Sequence, residues 1–184
     1  MKNIAASVHQ RLLNQARQTD RPFNELLQYY AMERFFYRLG VSNHADKFVL
    51  KGALMFTVWQ TSASRSTMDI DLLGNCNNAT DEISTIIRDI CTTSVEPDGL
   101  LFDTDSINAE YITDDADYEG VRVRLQGSFG TARITLRIDI GFADVVIPKP
   151  TILEYPVLLN LPAPRLRCYN RESTIAENFR QWSN

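Results

Sequence analysis

The stretch STMDIDLLG, residues 66–74, sets two carboxylates, Asp69 and Asp71, two positions apart with Ile70, Leu72 and Leu73 between and after them. On a β-strand alternate side chains leave opposite faces, so both acids project from one face while Ile70 and Leu72 enter the core. Two like charges so close repel each other, and a divalent cation between them relieves that repulsion. A third acid, Asp139, lies on the polar face of the alternating segment TARITLRIDIGF. If the two strands are neighbours, three carboxylates converge into an oxygen-only donor set, suited to Mg²⁺ or Mn²⁺ and poor for zinc or copper. Phosphoryl-transfer enzymes use such clusters to hold the cations that bridge a triphosphate and neutralise the leaving pyrophosphate.

Lys51–Gly52 follows the short run FVL and precedes ALMFTVW. A glycine there lets the backbone approach a phosphate, the helix after it offers free N–H groups, and Lys51 adds a point charge. Alone, an acid–x–acid pair is common on solvated strand ends. Two readings of these residues stand: a nucleotidyl-transfer centre and a solvated acidic strand end.

The elements that must carry this chemistry follow from the hydrophobic periods. Ile4, Val8, Leu12 and Ala16 predict a helix over 4–17. A second helix runs from about Pro22 to Leu39, with Pro22 in its first turn and Gly40 as its cap. FVL at 48–50 is a strand, 53–59 a short buried helix containing Met55 and Trp59, and DIDLL a second strand. Ile83, Ile86, Ile87 and Ile90 predict a helix over 80–93 with Thr80 or Asp81 as N-cap. The acidic stretch 95–120 reads as loop with short strands near 100–102 and 107–112. VRVRLQGSF and TARITLRIDIGF read as a β-hairpin joined around Gly127–Gly130, with Ile134, Leu136, Ile138 and Ile140 facing one way and Arg133, Thr135, Arg137 and Asp139 the other. The proline-rich stretch 148–167 is an extended excursion, and RESTIAENFRQ starts a last helix with Ser173 or Thr174 near its cap.

Composition restricts the classes. The chain has 184 residues, 44% hydrophobic and 23% charged, which is globular. A net charge of −4 gives no global field for nucleic acid, so any RNA contact needs a local basic patch. Arg122, Arg124, Arg133 and Arg137 alternate along the hairpin and form either such a strip or cross-strand pairs with the acids of 103–119. Arg165, Arg167 and Arg171 read as solvated surface. His9 and His44 show no partner pattern, Asp144 reads as a loop carboxylate, and Asp103, Asp105, Asp114, Asp115 and Asp117 lack calcium-loop spacing. Cys76, Cys91 and Cys168 are dispersed, as reduced thiols of a cytoplasmic protein would be. No run has signal-peptide or membrane-span character, and no membrane partner is expected. With no repeat or low-complexity linker, one domain is expected.

Four segments together carry a resemblance: FVLKGALMFTVW, SRSTMDIDLLG, ARITLRIDIGFAD and EYPVLLNLPAPRLRCYNRESTIAE. They resemble the AbiEii/AbiGii-type nucleotidyltransferase toxins of the polymerase β-like superfamily, the toxin half of bacterial abortive-infection toxin–antitoxin pairs. The resemblance implies an α/β (α+β) nucleotidyltransferase fold, a mixed twisted sheet flanked by helices. N-terminal helices would span 4–39, a catalytic core about 46–147 and a C-terminal segment 148–184. It implies Asp69, Asp71 and Asp139 as catalytic and metal-binding acids, with Asp139 also helping to deprotonate the acceptor hydroxyl. Lys51, Gly52 and Thr67 match the nucleotide site, and Arg65 and Ser66 lie in its pre-strand loop. It implies an NTP substrate with Mg²⁺ or Mn²⁺, an RNA acceptor (the tRNA 3′ end in characterised relatives) and a cognate antitoxin. Two departures stand out. Ala53 and Leu54 replace a second glycine and a hydroxyl, and Asn178 stands where the family carries a lysine, with the downstream acidic motif absent. The resemblance therefore implies a chain truncated at its C-terminus, and an inactive remnant that only binds a partner, nucleotide or RNA is the alternative.

Overall fold

The computed structural model describes residues 3–59, 67–113, 120–142 and 149–182, with side chains through 176. Among them the order is α1 (Ile4–Thr19), α2 (Phe23–Val41), a 3-10 turn (Ala45–Lys47), β1 (Phe48–Lys51), α3 (Leu54–Val58), β2 (Asp69–Gly74), α4 (Thr80–Thr92), β3 (Leu100–Ile112), β4 (Gly120–Phe129), β5 (Ala132–Phe142), β6 (Thr151–Glu154), β7 (Arg165–Cys168) and α5 (Arg171–Trp182). The strands form one mixed sheet in the order β3-β4-β5-β2-β1-β7-β6. β2 runs parallel to β5 and β1 parallel to β7, and the other neighbours are antiparallel.

One face of the sheet is apolar, and the alternation of β4 and β5 shows why. Val121, Val123, Leu125, Ile134, Leu136, Ile138 and Ile140 are buried with Ile70 and Leu72 of β2. α2 packs on β5 and α4 on β3, so this face meets Leu27, Ala31, Phe35, Ile83, Ile87 and Ile90 in one core. The period-2 and period-3.6 stripes thus meet, and hydrophobic burial fixes which face of the sheet stays polar.

Several sequence expectations are corrected at element ends. Gly40 lies inside α2, not at its cap. A Cβ there would stand 2.6 Å from the Arg165 carbonyl oxygen, so glycine permits β7 to lie against the helix. The cap residue is Ser42, whose hydroxyl donates to the Leu39 carbonyl at 2.8 Å. α4 is preceded by Ala79 rather than capped by Thr80 or Asp81, and the turn is set by Asn77, which accepts from the Ala79 N–H at 2.9 Å. α5 is capped by Asn170, which accepts from the Ser173 N–H at 2.9 Å, so Ser173 and Thr174 lie within the first turn.

The expected short strands near 100–102 and 107–112 are one strand, β3, whose register on β4 shifts between Asp103 and Asn108. Ser106 makes that irregularity: its hydroxyl donates to the Asp103 carbonyl at 2.6 Å and accepts the Gln126 N–H at 2.8 Å. The hairpin turns at Gly130 and Thr131, with Phe129 paired to Ala132 and Gly130 at φ +58°. Met55 is buried and Trp59 half-buried, while the Arg171 guanidinium lies 5.7 Å from the Trp59 ring centroid. His44 is also partnered, its Nε2 lying 3.0 Å from Asp89, and His9 packs on Phe23 with centroids 4.7 Å apart. All three cysteines are free.

Candidate active site

The polar face of the sheet carries one row of charges across five strands. Glu110 on β3 stands opposite Arg122 on β4, and Arg122 opposite Asp139 on β5. Asp139 stands opposite Asp71 on β2, and Asp71 opposite Lys51 on β1. One step along, Asn108, Arg124, Arg137 and Asp69 form a second row. Residues paired in register share a face, so the parallel pairing of β2 with β5 sets Asp71 opposite Asp139 with Asp69 one step along the same face.

The approach of β1 to β2 explains Gly52. Its φ is +74°, a conformation that side chains other than glycine rarely adopt, and a Cβ there would lie 2.4 Å from Asp71 Oδ2. The Asp71 carboxylate therefore rests against the strand-to-helix turn that follows Lys51. Lys51 is itself buried to 9% exposure. β7 ends beside Lys51 as well, because Leu50 pairs with Cys168 and the Tyr169 N–H donates to the Leu50 carbonyl at 2.9 Å. α5 thus begins at the same end of the sheet.

Asp139 is held by two guanidiniums. Arg122 forks onto it, Nε to Oδ1 at 2.8 Å and Nη2 to Oδ2 at 2.9 Å. Arg137 adds Nη2 to Oδ2 at 3.1 Å and Nε to Oδ1 at 3.5 Å, and its Nη1 lies 3.7 Å from Asp69 Oδ2. Partial burial alone would raise the Asp139 pKa, but the hydrogen bonds from Arg122 and Arg137 outweigh it and hold the carboxyl below its usual range. Among the described residues no group of three or more His, Cys, Asp and Glu side chains is disposed to hold a metal ion as it stands.

Among the described residues, three of the four hairpin arginines, Arg122, Arg124 and Arg137, are engaged in cross-strand pairs, only Arg124 with an acid of 103–119. Arg124 pairs with Glu110, but Arg122 and Arg137 pair with Asp139 and Asp69. Sequence reasoning missed this pair of arginines as members of the site. The signal was present: counting outward from a two-residue turn at Gly130 and Thr131 puts Arg122 opposite Asp139. Thr67 lies just before β2, and the Asp69 N–H points to its hydroxyl at 3.4 Å. Arg65, Ser66, Asp114, Asp115, Asp117 and Asp144 lie outside the described residues, as does the side chain of Asn178 in α5. A separate cavity of about 370 Å³, lined by Arg21, Tyr29, Glu33 and Tyr155, shares no residue with the charged rows.

A family model described as nucleotidyl transferase AbiEii toxin, type IV TA system, matches residues 34–183. Two solved structures share the fold. JHP933 from Helicobacter pylori is 16% identical with a TM-score of 0.52, over 84% of this chain and 55% of its own. A second H. pylori chain, proposed to be a nucleotidyltransferase, has the same identity and TM-score, over 84% of this chain and 57% of its own. The chain thus spans a little over half the length of these solved structures. No curated protein matches the sequence. Among the described residues no helix is long and apolar enough to cross a membrane.

Proposed function

The chain belongs to the AbiEii nucleotidyl transferase toxin family of type IV toxin–antitoxin systems, and we propose that it transfers a nucleoside monophosphate from an NTP to RNA in the cytoplasm. The acceptor we propose is the 3′ end of tRNA, and the partner that restrains the activity is a cognate antitoxin. The observation that carries this reading is the register of β1, β2 and β5, which aligns Lys51, Asp71 and Asp139 in one row with Asp69 beside it.

Asp69 and Asp71 offer hard oxygen donors from one strand face, which fits Mg²⁺ or Mn²⁺. When bound, such a cation would polarise the phosphates and neutralise the leaving pyrophosphate. The remaining work falls to side chains. Lys51 presents its charge at the end of β1, and Gly52 keeps the following turn close enough for backbone N–H groups to meet a phosphate. Thr67, just before β2, adds a hydroxyl for the triphosphate, and Arg65 and Ser66 are assigned to the same contact from their sequence position alone. Asp139 completes the acidic cluster opposite Asp71, and its carboxyl, held below its usual range by Arg122 and Arg137, stays ionised.

The test is incubation with α-labelled NTPs, Mg²⁺ and total tRNA. Label that moves onto RNA with the wild-type chain and fails to move with Asp69→Ala supports transfer. Binding of nucleotide or RNA without transfer supports a binding role instead.

A further inference from the structure

We infer that Arg122 and Arg137 are a polyphosphate-exchanged latch: the guanidiniums that bond Asp139 move to the phosphates of the incoming nucleoside triphosphate, which opens Asp139 to a cation. The inference rests on the nucleotidyl-transfer reading above and adds two residues to it.

The argument begins with acceptor capacity. An ionised carboxylate has about four lone-pair positions. Those of Asp139 meet four donors: Nε of Arg122 and Arg137 on Oδ1, and Nη2 of both on Oδ2. No position remains for a metal ion while both arginines stay. Charge balance points the same way. Asp69, Asp71 and Asp139 face Lys51, Arg122 and Arg137 in adjoining rows, three negative charges against three positive. A near-neutral cluster gives a divalent cation little attraction, and a phosphate alone gains no more.

Arriving together, the two exchange partners with the cluster. A guanidinium fork matches a phosphate as well as a carboxylate, and each bond stays charge-assisted after the exchange. The side chains can make the move. The Arg137 side chain is 40% exposed and that of Arg122 19%, on the polar face of the sheet. Arg124, next along β4, pairs with Glu110 and touches none of the three acids in any described contact.

Two binding titrations test this: Mn²⁺ alone, and inorganic tripolyphosphate alone in EDTA. Folding is checked by circular dichroism. The latch predicts that Arg122→Gln tightens Mn²⁺ about tenfold and weakens tripolyphosphate about tenfold, since one charge-assisted fork is removed from each balance. Arg137→Gln acts in the same direction. Arg122→Lys keeps the charge but loses the fork and still tightens Mn²⁺, whereas Arg124→Gln, which removes a nearby charge without freeing Asp139, leaves Mn²⁺ unchanged. An unchanged Arg122→Lys, or an Arg124→Gln that tightens Mn²⁺ as much as Arg122→Gln, overturns the latch. If Mn²⁺ still binds in a manner lost in Asp69→Asn, the nucleotidyl-transfer reading survives that result. If Mn²⁺ binds to no variant, both readings fall.

Discussion

Asp71 on β2 and Asp139 on β5 stand directly opposite each other across two parallel strands, on the polar face of the sheet. Two carboxylates in that relation are costly unless something positive joins them. That role falls to Arg122 and Arg137 around Asp139, with Lys51 in register on the far side of Asp71.

The contact between Gly52 and Asp71 makes substitution at Gly52 doubly unfavourable. Gly52→Ala meets both a positive φ and a carboxylate oxygen 2.4 Å away. We expect a loss of about 1–3 kcal/mol in urea denaturation, together with a large fall in nucleotide transfer. Gly130→Ala is the control. Its φ is +58° but no atom lies within 4 Å of the added Cβ, so it costs about 1 kcal/mol and leaves transfer intact. Equal effects of the two substitutions on transfer would show that Gly52 has no place in the site.

Glu33 couples the helical core to pH. Burial lifts its pKa to about 7 against the opposing Leu158 N–H and Arg34 guanidinium. Because the folded pKa lies above the unfolded one, the native state binds the proton more tightly. Stability is then greatest at acid pH near the unfolded value and falls as pH rises towards 7, levelling off above it. Urea midpoints between pH 5 and 8 should show this decline, and Glu33→Gln should flatten it. A wild-type midpoint that rises over the same interval contradicts the assignment.

Arg38 and Asp98 tie α2 to the start of β3. The guanidinium forks onto the carboxylate at 2.7 and 3.2 Å with both side chains buried, and Asp98 Oδ1 also accepts the Leu100 N–H at 3.1 Å. Asp98→Ala leaves a buried guanidinium unpaired and should cost about 3–5 kcal/mol. Asp98→Asn, which keeps the acceptor oxygen, should cost less. Thermal melts of the two variants decide it: equal losses would mean that the charge alone sustains the contact and that the retained acceptor oxygen contributes nothing.

Local features were legible in the sequence where one short-range rule decides them. The alternation of Ile134 to Ile140 gave the buried face of β5, and the period of Ile83 to Ile90 gave α4. The family resemblance and the pairing of residue types anticipated Asp69, Asp71, Asp139 and Lys51 as neighbours. What the sequence did not show depends on contacts distant along the chain. Gly40 looked like a cap because nothing local announces that the Arg165 carbonyl presses on α2. β3 looked like two strands because its irregularity is held by a Ser106 contact to Gln126. The partners of the hairpin arginines follow from a register counted from the turn, and joining the strands around Gly127–Gly130 rather than at Gly130 and Thr131 left that register open.

The measurement that bears most directly on the central claim is label transfer by Asp71→Asn. The substitution keeps shape and removes the charge that faces Asp139 across β2 and β5. With circular dichroism and melting temperature close to wild type, the account predicts transfer from α-labelled NTP to RNA reduced by at least about a hundredfold. A folded Asp71→Asn chain that transfers label at the wild-type rate would contradict it.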